Sequence, residues 1–108
     1  METDLTVART IQIQIGADAF RMMGTNHQVG DEKSLMFNIK GCRAFNKIRV
    51  TLDPSDTYTV EFIKVGKAPT FKITTESHAG IYADALKSLI EEHTGLRLTV
   101  PRIRGIND

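Results

Sequence analysis

Apolar residues recur along the chain with two different periods, and the changes of period divide it into elements. Leu5, Ala8, Ile11 and Ile15 share one face at helical spacing. Asp4 precedes this run as an N-cap and Gly16 follows it as a terminator. The same segment contains TIQIQI, where Ile11, Ile13 and Ile15 alternate as in a strand. A helix is preferred because its window is longer, is bracketed by cap signals, and contains Ala, Arg and Gln.

After Gly16 the period changes to two. Ala19 to Thr25 (AFRMMGT) reads as a short strand with Phe20 and Met22 inward, and the polar TNHQVGDEK as a loop. Ser34 to Lys40 alternates with Leu35, Phe37 and Ile39 inward, and GCRAFN makes a second loop. Lys47 to Leu52 places Ile48, Val50 and Leu52 on one face, and Thr57 to Val65 places Tyr58, Val60 and Phe62 on the matching face. Pro69 breaks this strand, and Thr70 to Thr74 adds a short one with Phe71 and Ile73 inward. From Ser77 the helical period returns. Ile81, Ala85 and Leu89 form one row, Tyr82, Leu86 and Ile90 another, and Thr94-Gly95 closes the helix. The tail supplies an edge strand before Pro101 and then frays.

These elements predict an α+β fold: an antiparallel sheet of four to five strands, with an N-terminal and a C-terminal helix packed on one face. A chain of 108 residues, 41% apolar and 25% charged, suits a single domain over 1–108. Its ordered core is expected over about 5–100, and 101–108 form a flexible tail. Such a chain buries enough surface to fold without a metal or disulfide.

The formal net charge of +1 says little, but its distribution says more. Residues 39–72 hold seven bases against three acids, and the remainder holds seven bases against ten acids. One positive surface on a mildly acidic body follows. The lone Cys42 excludes an internal disulfide and points to a reducing compartment. No window approaches the roughly 20 apolar residues of a membrane span. METDLTVART carries acids where a signal peptide would carry bases. A soluble intracellular protein with no membrane association is expected.

Candidate chemistry is sparse. Asp53, Asp56 and Glu61 crowd nine residues, yet DPSD is a turn in which Pro54 presets φ and Asp53 accepts a backbone hydrogen bond. Glu61 stands about 16 Å further along an extended strand, beyond reach of a shared site. It faces outward, where Arg49 is its expected cross-strand partner. His27, His78 and His93 lack ligand spacing to one another or to Cys42, and no phosphate loop is present. Neither a cofactor nor a metal is expected. Cys42 beside Arg43 reads as an inert, partly buried thiol.

The strand parity sends Arg21, Met23, Met36, Asn38, Lys40, Lys47, Arg49, Thr51, Thr59, Glu61, Lys72 and Thr74 outward. Of these, Arg21, Asn38, Lys40, Lys47, Arg49, Thr59, Glu61 and Lys72 are the candidate binding residues. The inward parity of the aromatics leaves this face without stacking platforms, which disfavours single-stranded nucleic acid.

The stretches IRVTLDPSDTYTVEFIKV and GIYADALKSLIEEHTGL resemble a hairpin and helix found in small uncharacterised bacteriophage and prophage proteins. MMGTNHQVGDEKSLMFNI is similar to their MTGAKNFVGSDNSLSFRL, so the likeness covers roughly residues 8–96. It implies a non-enzymatic accessory protein in the cytoplasm of a bacterial host, and supplies no catalytic residue to transfer. Its expected partner is a host or phage protein or nucleoprotein, with inhibition of a CRISPR-type defence nuclease complex as the sharpest version. The alternatives are a double-stranded nucleic-acid-binding module using the basic face and Arg97, Arg102 and Arg104, and a small enzyme centred on Cys42 or a histidine. Pairing of an exposed edge strand would make a homodimer.

Overall fold

The computed structural model describes residues 4–69 and 71–96. Helices α1 (Thr6–Ile15) and α2 (Ala17–Met22) precede five strands: β1 (Asn26–Gly30), β2 (Ser34–Asn38), β3 (Lys47–Leu52), β4 (Tyr58–Val65) and β5 (Ile73–Ile81). A 3₁₀ turn over Ala83–Ala85 leads into α3 (Leu86–Thr94). The strands form one antiparallel sheet in the order β1-β2-β3-β4-β5. The fold is α+β, with helices at both ends of the described chain contributing to one core.

The ambiguous first segment is helical. Ala8, Ile11 and Ile15 are buried while Ile13 is 79% exposed, the pattern of a 3.6-residue period and the reverse of strand alternation. Asp4 accepts hydrogen bonds from the backbone N–H of Thr6 (2.9 Å) and from its hydroxyl (2.6 Å). At the other end Gly16 donates its N–H to Gln12 O and turns the chain with φ +96°.

The strand expected over Ala19–Thr25 is instead α2 and its exit. Ile15, Ala19 and Met23, four residues apart, are buried together with Phe20, so the helical stripe resumes beyond Gly16. Met23 is therefore buried rather than outward, and Met22 is exposed rather than inward. The loop expected from Thr25 to Lys33 contains β1, whose polar sequence NHQVG gives no alternation signal. β1 passes very close to α1: a Cβ on Gly30 would stand 2.7 Å from the Ala8 Cβ. The β1–β2 connection is fixed by Asp31, whose carboxylate accepts from the N–H of Lys33 and from both N–H and hydroxyl of Ser34.

The three central strands keep the expected register. Leu35 faces Val50 and Phe37 faces Ile48. Ile48 in turn faces Phe62, Val50 faces Val60 and Leu52 faces Tyr58. All of these except the half-buried Leu52 are buried, together with Ile39 beyond β2. The core joins them to Ile11, Ile15, Phe20 and Met23 from the N-terminal helices and to Leu86 and Ile90 from α3. Phe20 meets Phe37 edge to face with centroids 5.0 Å apart, a favoured aromatic geometry.

DPSD is a turn. Asp56 N–H donates to Asp53 O (3.0 Å), and Asp53 N–H donates to Thr57 O (2.9 Å). Asp56 has φ +63°, a left-handed conformation that Asp tolerates.

The last strand departs most from expectation. β5 runs nine residues, through the stretch assigned to the start of a helix, because the β4 ladder holds it from Val65↔Ile73 to Tyr58↔Ile81. Tyr58 to Val60 on β4 is opposed by Ile81 to His78 on β5, which leaves an extra residue on β5. Gly80, at φ +71°, supplies the conformation this bulge demands. Phe71 and Ile73, expected inward, are 59% and 66% exposed. Helix α3 therefore starts later, and its buried row is Leu86, Ile90 and Thr94. Gly95, at φ +74°, ends it as expected. The expected edge strand before Pro101, the frayed end and Arg97, Arg102 and Arg104 lie outside the described residues.

Candidate functional site

The sheet face turned away from the helices carries rows set by the register. Asn38, Lys47 and Ile63 lie side by side and lead to Thr75. Met36, Arg49, Glu61 and Ser77 form the next row, and Ser34, Thr51 and Thr59 a third. Arg49 and Glu61 are opposite each other as expected, but at 3.9 Å between nitrogen and oxygen they make only a loose, solvated pair. Thr59 donates its hydroxyl to Asp53 Oδ2 at 2.7 Å, which makes it a brace of the β3–β4 turn.

The eight expected binding residues do not form one patch. Asn38, Lys40 and Lys47 come together around an open hollow of about 350 Å³, completed by Ile39, Asn46 and Val65. Arg49, Thr59 and Glu61 continue along the face. Lys72 lies on the β4–β5 connection. Arg21 belongs to α2, where it pairs with Asp18 at 2.8 Å; assigning it to the sheet was an error of period.

A larger order emerges along the strands. Asn38, Lys47, Ile63, Val65 and Ile73 lie at one end of the sheet, joined by the 39–46 loop and the 66–72 connection. Segments 38–48 and 62–75 contain six bases (Lys40, Arg43, Lys47, Lys64, Lys67, Lys72) and no acid. At the opposite end the β1–β2 and β3–β4 turns carry Asp31, Glu32, Asp53 and Asp56 against Lys33. The basic excess of residues 39–72 is thus sorted by the folding of antiparallel strands. Of its three acids, Asp53 and Asp56 stand at the opposite end, and Glu61 lies next to the basic end opposite Arg49.

At this end β4 and β5 run on past Lys47, the first β3 residue, as an arm. Asn46 secures its root by donating Nδ2–H to Val65 O and accepting Val65 N–H at Oδ1, both at 2.9 Å. Lys67, Phe71, Lys72 and Ile73 are exposed along the arm. The exposed ring of Phe71 corrects the expectation that every aromatic points inward.

A separate cluster lies on the helix side of the sheet. Glu76 and His78, two residues apart on β5, point to the same side, opposite Phe62 and Val60. Helix α3 brings His93 to them. Glu76 Oε2 is 2.7 Å from His78 Nε2 and 3.4 Å from His93 Nε2. The two imidazoles are 4.3 Å apart between centroids, and the His93 ring stacks on buried Phe62 at 4.9 Å and 14°. His78 and His93, which lack ligand spacing in the sequence, are thus brought together with Glu76 in space. Fifteen residues separate His78 from His93, and only the β5–α3 packing unites them. The one sequence cue is Glu76-Ser77-His78, whose meaning depends on recognising β5 as a strand. His27 falls in β1, and Cys42 is half-buried against the core.

Comparison with protein-family models, with curated proteins and with solved structures finds no match. Among the described residues, no helix is long and apolar enough to cross a membrane.

Proposed function

We propose that the protein acts by binding, as a non-enzymatic accessory protein whose basic end and projecting arm dock on an acidic surface of a partner protein. The observation that carries this reading is that segments 38–48 and 62–75, which meet at one end of the sheet, hold six bases and no acid, and that exposed Phe71 and Ile73 lie on the same end. Lysines and arginines steer an acidic partner into place, and desolvated apolar side chains supply the anchoring contact. A nucleic-acid backbone offers the charge but gives Phe71 and Ile73 less to bury. The resemblance to phage accessory proteins makes a host defence nuclease complex the first partner to try.

The test places a photo-crosslinking residue at position 71, and in a second variant at exposed position 13, in cells carrying such a complex. The expected result is a protein adduct from position 71 that survives nuclease treatment and disappears when Lys67→Glu and Lys72→Glu are added. Absence of an adduct from position 71, or an adduct removed by nuclease, overturns the reading in favour of no partner at the arm or of a nucleic acid.

A further inference from the structure

We infer that Glu76, His78 and His93 form a binding site for a divalent first-row transition ion of the zinc class. This site is separate from the basic end and does not depend on the reading above. One donor atom from each of the three residues lies within 4.8 Å of the other two. Zinc bonds to nitrogen and oxygen of about 2.0–2.2 Å put tetrahedral donors about 3.3 Å apart. From Glu76 Oε2 the two Nε2 atoms stand at 2.7 and 3.4 Å, on either side of that spacing. The carboxylate only accepts, so in the metal-free site His78 Nε2 carries the hydrogen of the shorter contact, and binding the ion shifts that proton to Nδ1 or releases it.

The orientation of His93 is the second observation. Its Nδ1 is 3.0 Å from Leu89 O. A carbonyl only accepts, so Nδ1 carries the proton and Nε2 of the neutral ring presents its lone pair toward Glu76. That lone pair and Glu76 Oε2, the oxygen that also meets His78, face each other at 3.4 Å, a geometry that a cation shared by the three side chains would satisfy. Backbone support of the distal ring nitrogen is the usual way a ligating histidine is held in its tautomer. Stacking on Phe62 fixes the plane of the ring, and Phe62 also meets the His78 ring edge to face. The floor of the site is therefore apolar and fully buried.

Two histidines and one carboxylate leave a fourth position. It faces solvent, since the side chains of Glu76, His78 and His93 are 48%, 31% and 22% exposed, and a water molecule completes the shell. The ion would tie the edge strand β5 to α3, two elements that the chain itself joins only through the 3₁₀ turn.

The full chain, stripped with chelator, is titrated with Co²⁺ and followed by visible absorption, then by displacement with Zn²⁺. The expected result is a saturable four-coordinate Co²⁺ spectrum, bleached by Zn²⁺ and indifferent to Mg²⁺. His78→Ala, His93→Gln and Glu76→Gln each weaken binding by about tenfold or more, and His27→Ala leaves it unchanged. Glu76→Gln lies on an exposed strand, so far-UV circular dichroism can establish that this variant is folded while its affinity falls. A flat Co²⁺ titration overturns the proposal and leaves a proton as the cation of the cluster. Equal affinity in folded Glu76→Gln and His93→Gln variants overturns it too.

Discussion

Asp31 closes the β1–β2 turn with an array of donors around one carboxylate: the N–H groups of Lys33 and Ser34 at 2.8 and 2.7 Å, and the Ser34 hydroxyl at 2.9 Å. These hydrogen bonds, that of Lys33 foremost, favour the ionised form and hold the carboxyl below its ordinary value of 3.8, with Arg49 adding a small attraction. A depressed pKa in the folded state stabilises the fold above the unfolded value, and that stabilisation disappears as pH falls through the folded value. Asp31→Asn should therefore be less stable than the natural chain at pH 7, and the gap should narrow below pH 3.8. Urea midpoints measured from pH 7 to pH 2.5 check this; a gap independent of pH would show that the charge contributes nothing. At this scale the sequence was legible only where neighbours act together. DPSD declares itself as a turn because all four residues are contiguous. Asp31 could be placed in a loop but its three donors could not, and Glu76, His78 and His93 were invisible as a set because two elements must first pack.

Among the elements, β2, β3 and β4 were readable from alternation alone, since each buries one full face and their register follows from it. The elements at their flanks were not. Phe20 and Met22 suggested period two, but Ile15, Ala19 and Met23 continue a helical stripe across the break at Gly16. β1 and β5 are edge strands of polar residues, held by ladder hydrogen bonds that leave no apolar trace in the sequence. The arm made by β4 and β5 carries its own ladder and is fastened to the rest of the sheet by one side chain at its root. Asn46 supplies to Val65 the two hydrogen bonds that a further β3 residue would otherwise make. Asn46→Ala should cost about 1–3 kcal/mol, the typical penalty for polar groups left without partners in a partly buried place. The loss should be local. In hydrogen exchange the Val65 amide should lose protection while Val60, inside the ladder, keeps it. Unchanged protection at Val65 would mean that the arm is held by its own pairing alone.

For the whole molecule the decisive quantity is where the charges lie. The total of +1 and a sequence pI near 7.9 describe an almost neutral protein, yet the meander collects six bases at one end of the sheet and sends four turn acids to the other. The excess over residues 39–72 was legible as a number. Its separation from Asp53 and Asp56 was not, because that requires knowing which strand ends coincide. A polarised surface behaves differently from a uniformly neutral one, since a charged matrix meets the basic end without feeling the distant acids beyond a Debye length of about 10 Å at 0.1 M salt. The protein should therefore bind a strong cation exchanger at about 0.1 M salt and pH 8, where its net charge is close to zero. Lys67→Glu and Lys33→Glu change the total by the same amount, but at opposite ends. Lys67→Glu should elute at distinctly lower salt than the natural chain, whereas Lys33→Glu should shift much less. Equal shifts would show that total charge alone governs retention, and would remove the electrostatic basis for docking through the arm.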